Sequence, residues 1–259
     1  MNNSRIDPPK QGEDAAIILS EAAGLAAEGR YQEALTLFDQ VSETSFSRPE
    51  VLVKRALTLD RIGLFSEALR CCEVAICRAP RFSDAWFVRG LTLYYLSRTS
   101  LAIECLDMAL SLDPAHTEAW FIRGNCAYHA HDPEKAVAAY EKALALAPTY
   151  PKALYNRGVC LADLGRFEES LSSYDACIRI NPGVSVVHAN RGVTLVGLER
   201  YQEALEAFEE AIRLDPEDIT ALNNICLLLS RFRRDNEAIE YHERARRLME
   251  LKGFDRRVW

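Results

Sequence analysis

Asn156, Asn190 and Asn224 recur at a spacing of 34 residues, and so do the aromatic residues Phe87, Phe121 and Tyr155. An amide side chain offers one acceptor and two donors, so a regular row can hold the backbone of an extended peptide whatever its side chains are. Aromatic rings offer large contact area at small entropic cost and serve as binding hot spots. Both are chemistries of holding rather than of bond making. Reactive groups are present but scattered. Of the eight cysteines none forms a CxxC pair, and adjacent Cys71 and Cys72 are not expected to bridge each other. Cys126, His129 and His131 combine soft ligands but lack a fourth ligand and straddle a helix end, so no metal is expected. The sequence has no Gly-rich phosphate loop, GxSxG elbow, HExxH pair or kinase-type set. Its carboxylates are spaced as on solvated helix faces. No catalytic residue, metal or cofactor is therefore expected, and the chain is read as not an enzyme.

The 34-residue spacing is a property of the whole sequence. Setting Ala15, Pro49, Ser83, Thr117, Pro151, Ser185 and Ile219 as first positions gives seven repeats without an insertion, over residues 15–48, 49–82, 83–116, 117–150, 151–184, 185–218 and 219–252. A polar tail remains at each end, 1–14 and 253–259. Position 8 is small (Ala22, Ala56, Gly90, Gly124, Gly158, Gly192, Cys226), as are position 20 (Ala34, Ala68, Ala102, Ala136, Ser170, Ala204, Ala238) and position 27 (Val41, Ala75, Ala109, Ala143, Cys177, Ala211, Ala245). Such columns let two helices approach closely. Position 15 often carries a turn residue (Gly29, Gly63, Gly165), and Pro80, Pro114, Pro148, Pro182 and Pro216 at position 32 stop the second helix. Each repeat thus reads helix, turn, helix. One such pair cannot bury its apolar face alone, whereas stacked pairs share a core.

The stretches DAWFVRGLTLYYL…SLAIECLDMALSLDP and EAWFIRGNCAYHA…EKAVAAYEKALALAP carry Trp, Gly, Ala, Ala and Pro in register. In these the chain resembles the tetratricopeptide repeat family over residues 15–252. The resemblance implies an all-α right-handed superhelix, a solenoid of seven helix-turn-helix repeats, whose first helices line a concave groove that holds a partner polypeptide. In that family the groove is lined by positions 2, 5, 6, 9, 12 and 13. Those columns supply Phe87, Phe121 and Tyr155 at position 5, Tyr94, Tyr95 and Tyr128 at positions 12 and 13, and Asn156, Asn190 and Asn224 at position 6, with Asn125 at position 9 extending the polar strip and His129 facing the groove. For Phe87 and Phe121, packing between repeats is an equal alternative. The Asn row is similar to part of the asparagine ladder in the repeat domain of O-linked N-acetylglucosamine transferases, although Lys54, Val88 and Ile122 occupy the earlier places; the alternative is that these are ordinary helix-surface residues. The two-carboxylate clamp for chaperone tails is not expected, because Val53, Phe87, Phe121 and Tyr155 stand where its leading Lys belongs.

Two further columns bear on assembly. Arg55, Arg89, Arg123, Arg157 and Arg191 at position 7 face an acidic position 25 (Glu73, Asp107, Glu141, Asp175, Glu209), which predicts a ladder of Arg–carboxylate contacts, the alternative being a strip for an anionic ligand. Repeat 7 replaces the apolar residues of positions 24 and 28 by His242 and Arg246, as a polar end requires. Gly253 is expected to end the array, and the FDRRVW tail to fray.

Composition narrows the class. The 259 residues are 49% hydrophobic and 27% charged, with 31 Lys+Arg against 38 Asp+Glu and a formal charge of −7. No basic field exists for nucleic acid. The apolar runs fall short of a membrane span, and the opening MNNSRIDPPKQGED lacks the basic-then-apolar order of a signal peptide. A cytoplasmic location with reduced thiols is expected. The reading is a non-catalytic interaction scaffold, an adaptor or assembly factor that holds an extended or helical segment of a protein or peptide partner and is itself a monomer or weak homo-oligomer. The alternative is a structural protein that self-assembles into homo-oligomers.

Overall fold

The computed structural model describes residues 11–40 and 48–251, with side chains from residue 17 onward. Residues 1–10 of the expected N-terminal tail, the expected C-terminal tail 253–259 with its Gly253 helix end, and Val41 lie outside the described residues. Fourteen helices and no strands occur among the described residues, so the fold is all-α and solenoid-like. They divide into two compact units, 1–130 and 131–259.

The first unit holds α1 (Gln11–Ala27), α2 (Tyr31–Gln40), α3 (Pro49–Arg61), α4 (Phe65–Arg78), α5 (Ser83–Tyr95), α6 (Thr99–Leu112) and α7 (Thr117–His129). The second holds α8 (Pro133–Leu146), α9 (Pro151–Asp163), α10 (Phe167–Ile180), α11 (Ser185–Gly197), α12 (Tyr201–Leu214), α13 (Ile219–Arg231) and α14 (Asp235–Leu251). α1 begins at Gln11, within the segment 1–14 expected as a tail. Six helices, α3, α5, α7, α9, α11 and α13, start at first positions of the 34-residue period. In each unit every helix packs on the next in sequence, and first helices of consecutive repeats also touch: α1 with α3, α3 with α5, α5 with α7, and α9 with α11. The first helices therefore share one face of each unit.

The turn between paired helices has one conformation throughout. Gly29, Gly63, Ser97, His131, Gly165, Glu199 and Arg233, all at position 15, have φ between 57° and 81°. Only glycine adopts this left-handed region without strain. It is held by paired backbone bonds, for example Arg98 N–H to the Leu93 carbonyl at 2.9 Å and Ser97 N–H to the Tyr94 carbonyl at 2.9 Å, the Schellman pattern that satisfies the last carbonyls of a helix. Between repeats, rings at position 4 brace the linker: Trp86 Nε1 donates to the Pro80 carbonyl at 2.9 Å, and Trp120 Nε1 to the Pro114 carbonyl at 3.0 Å. Proline at the first helical position of α3, α8 and α9 costs no backbone bond, since that N–H has no partner in a helix.

The small columns have a direct steric cause. A Cβ added at Gly158 would stand 2.6 Å from Tyr174 Cε1, one at Gly192 2.8 Å from Phe208 Cε1, and one at Gly90 2.9 Å from Leu106 Cγ. The side chains pressed against these glycines occupy position 24, where Phe38, Leu106, Tyr140, Tyr174 and Phe208 are fully buried. Position 20 completes the close approach, and where it is Ser170 its hydroxyl donates to the Gly158 carbonyl at 2.8 Å. In the last repeat the same columns change character: His242 and Arg246 are exposed, and of α14 only Ala238 and Ala245 are buried.

The Arg–carboxylate contacts run from position 7 back to position 25 of the preceding repeat: Arg55 to Asp39 at 3.0 Å, Arg123 to Asp107 at 2.8 Å and Arg191 to Asp175 at 2.7 Å. The arginines are largely buried along their stems while the aspartates are more than half exposed, which limits each pair to roughly 1 kcal/mol or less. Arg157 instead donates from Nε to Ser173 Oγ at 3.0 Å.

Candidate functional site

The residues expected to line the groove are not all exposed. In the first unit Phe87 and Phe121 are buried, 5% and 8% exposed, which removes both from the candidate face. Position 5 points between neighbouring helices there: the Phe87 ring lies 4.4 Å from that of His116, at the head of α7. Tyr94 is half-buried, and its hydroxyl meets His129 Nε2 at 3.2 Å. Tyr95 and Tyr128 are 46% and 37% exposed, and Asn125 is half-buried beside them in sequence. Tyr94, Tyr95, Tyr128 and His129 remain as the aromatic part of the first-helix face. Towards α1 that face deepens into a cleft of about 200 Å3, walled by Ala23, Ala26, Tyr31 and Leu57 and carrying Lys54 and Arg61.

The second unit carries the three asparagines, all half-buried. Asn190 Nδ2 donates to the Tyr155 hydroxyl at 2.9 Å, so this amide braces a neighbouring repeat and is withdrawn from the row. Burial pushes the Tyr155 phenol up, against the Asn190 hydrogen bond, which pulls it down. Its ring lies 6.2 Å from that of Tyr174, so Tyr155 is half a core residue. Asn156 and Asn224 are half-buried. What the residue types at position 9 do not single out beside Asn125 is an apolar pair on the first helices: Val193 is 51% exposed and Leu227 69%. Their signal in the sequence is an apolar residue in a groove column that the packing of the repeat does not use.

The reactive groups are placed for packing. Six cysteines are buried, Cys226 is half-buried and Cys77 is exposed, and all eight are free. Burial pushes the Cys126 and Cys160 thiols up to about 12, opposed at Cys126 by the charge of Arg123, so neither is a thiolate at neutral pH. Among the described residues no group of three or more His, Cys, Asp or Glu is placed to hold a metal ion. Nor is any helix long and apolar enough to cross a membrane. The charged group deepest in the first unit is Asp60, 7% exposed, whose Oδ2 accepts from Thr92 Oγ1 at 2.8 Å.

Comparison with solved structures agrees with this geometry. The C-terminal part of a TPR repeat-containing protein from Cytophaga hutchinsonii is similar with a TM-score of 0.72 at 17% identity, covering 92% of this chain and 96% of that one. PilF of Pseudomonas aeruginosa gives 0.73 at 16% identity over 82% and 96%. YrrB, described as a TPR protein with an unusual peptide-binding site, gives 0.63 at 23% identity over 71% and 95%. At these identities the likeness is one of fold. No curated protein sequence matches the chain. Profiles of the tetratricopeptide repeat match residues 87–151, 130–185 and 185–218, together half of the sequence and contiguous across the two units. With the unbroken period, the repeated left-handed turn and these profiles in agreement, the chain belongs to the tetratricopeptide repeat family.

Proposed function

We propose that the chain is a non-catalytic scaffold that holds an extended or helical segment of a partner protein on the first-helix face, and that it serves as an adaptor or assembly factor. The observation that carries this is the exposure of Val193 and Leu227 in the second unit and of Tyr95 in the first, large side chains on the first helices. Half-buried Asn224 stands in a groove column on the same helix as Leu227 and carries an amide that can donate to and accept from a backbone. An apolar strip with polar flanks is the composition of a recognition face. YrrB supports the reading as a protein of the same fold described with a peptide-binding site. Free cysteines suit a reducing compartment such as the cytoplasm. The polar outer side of α14 opposes end-to-end stacking, which favours a monomer over self-assembly.

The test is a Val193→Asp, Leu227→Asp double variant compared with the parent chain by quantitative co-purification from the source cells, with light scattering on both. The expected result is a monomer whose co-purifying proteins fall about tenfold in the variant. An unchanged set would refute the face, and large regular assemblies would refute the adaptor reading.

A further inference from the structure

The cleft between α1, α2 and α3 joins an apolar wall to two cations. Ala23, Ala26, Tyr31, Phe38 and Leu57 supply the wall, Lys54 and Arg61 supply the charge, and no carboxylate lines it. Its volume is about 200 Å3. A space of roughly 150 Å3 takes a benzene-sized group, so one large side chain from outside the repeats fits. Lys54 and Arg61 stand about two turns and roughly 10 Å apart along α3, on the stripe that also carries Leu57. Both are exposed.

This pair of charges belongs to one repeat. The same columns, positions 6 and 13, hold Ser20 and Ala27 in repeat 1, and then Val88 and Tyr95, Ile122 and His129, Asn156 and Asp163, Asn190 and Gly197, and Asn224 and Arg231 in repeats 3 to 7. Only repeat 2 carries a cation in both. The one other arginine of these columns is engaged within the chain, since the Arg231 guanidinium carbon lies 4.0 Å from the centroid of the Tyr201 ring.

The nearby carboxylates of the chain do not serve the pair. Asp60 is buried and accepts from Thr92, although the charge of Arg61 reaches it. Glu50 stands in the first turn of α3, outside the lining, while Glu28 and Glu33 bond to Arg30 at 3.5 and 2.6 Å. Among the described residues neither Lys54 nor Arg61 forms an ion pair. We propose that this cleft receives a segment of the partner that carries an acidic residue beside a large apolar one: the apolar side chain enters against the wall, and the Asp or Glu lies between Lys54 and Arg61. Charge complementarity selects this occupant, because a basic side chain would bring a third cation to the pair and an uncharged one would leave both without a partner. This rests on the first-helix face being the docking face and names the chemistry of its occupant in the first unit.

A phage-displayed library of random twelve-residue peptides, selected on the intact chain, on Lys54→Gln with Arg61→Gln, and on Ala26→Leu, tests this. The Gln pair removes both charges at exposed positions, and Ala26→Leu narrows the cleft while keeping them. The expected result is enrichment of Asp or Glu beside a large apolar residue on the parent. A selected peptide, synthesised with an amidated C-terminus, should bind the Gln pair about three- to tenfold more weakly, and Ala26→Leu more weakly than the parent. Equal affinity for either variant, or equal acidic enrichment on the Gln pair, would overturn the proposal. A parent that light scattering shows to be a dimer, with the Gln pair a monomer, would place a second copy in the cleft and overturn the partner segment. Peptides without acidic residues whose binding is abolished by Leu227→Asp would overturn the proposal and leave the docking face standing. Failure to select any peptide on the parent would overturn both.

Discussion

Asp60→Asn should stabilise the first unit near neutral pH and have no effect in mild acid. The carboxyl is buried, its Oδ1 has no hydrogen-bond partner among the described residues, and the Thr92 hydroxyl that serves Oδ2 also lies 2.9 Å from the Val88 carbonyl. One hydroxyl hydrogen cannot satisfy both acceptors. Burial raises Asp60 from its ordinary value to about 6, against the Thr92 hydrogen bond and the charge of Arg61, which lower it. Cys72 on α4 and Tyr95 on α5 are the titratable groups on which its charge acts from the neighbouring helices. A carboxyl that titrates near 6 in the fold and near 4 in the unfolded chain binds more protons in the fold over that interval. Stability therefore falls as pH rises through it and stays lower above it. At 1.36 kcal/mol per pH unit the full penalty is about 3 kcal/mol, and water entry at an open solenoid face reduces it to about 1–3 kcal/mol. Asparagine keeps an acceptor for Thr92 and removes the charge. Urea unfolding followed by the fluorescence of Trp86 and Trp120, in a Trp259→Phe background, reports on the unit that contains Asp60. The gain in stability from Asp60→Asn should grow from near zero at about pH 4 to about 1–3 kcal/mol at about pH 7.5. A gain that does not vary with pH, or a loss at neutral pH, would refute the argument.

Three further outcomes follow from packing and backbone. Glu199→Gly relieves a side-chain-bearing residue at φ 59° and should stabilise by about 0.5–1 kcal/mol, whereas Gly63→Ala at φ 77° should cost about 1 kcal/mol; chemical denaturation that reverses this order would contradict the strain argument. Gly158→Ala drives a Cβ into the Tyr174 ring, and after the helix-propensity gain should still cost about 1–2 kcal/mol, with the near-ultraviolet signal of Tyr174 altered; a stabilised variant would show that the helices can separate freely. Arg123→Ala breaks the contact with Asp107 and should change the urea midpoint by the equivalent of about 1 kcal/mol or less, with peptide binding unaltered; loss of binding at unchanged stability would favour the anion strip.

The fold was legible because it repeats. A residue that is ambiguous alone, such as Ser97, Glu199 or Arg233, takes its left-handed turn from a column in which Gly29, Gly63 and Gly165 declare the conformation. The same columns explain why Gly158 and Gly192 are small, although the side chains that press on them, Tyr174 and Phe208, are found only in three dimensions. The face was less legible. Whether a position-5 aromatic is interior depends on what packs over it from the next first helix or its cap: His116 covers Phe87, and Tyr155 is held half-open by Asn190, 35 residues on. The Tyr155 partner of Asn190 is invisible to spacing within the Asn190 column. The residue types of Val193 and Leu227 do not mark them, because apolar residues on a helix are ordinarily core, whereas here they are 51% and 69% exposed.

On the proposed function the partner meets the first-helix face and not the outer surface. A photo-reactive benzophenone amino acid placed at Leu227, on that face, or at exposed Glu240 on α14, in the source cells, separates the two. Illumination should give discrete crosslinked species from position 227 and none from position 240. The same adducts from both positions, or adducts from position 240 alone, would contradict the account.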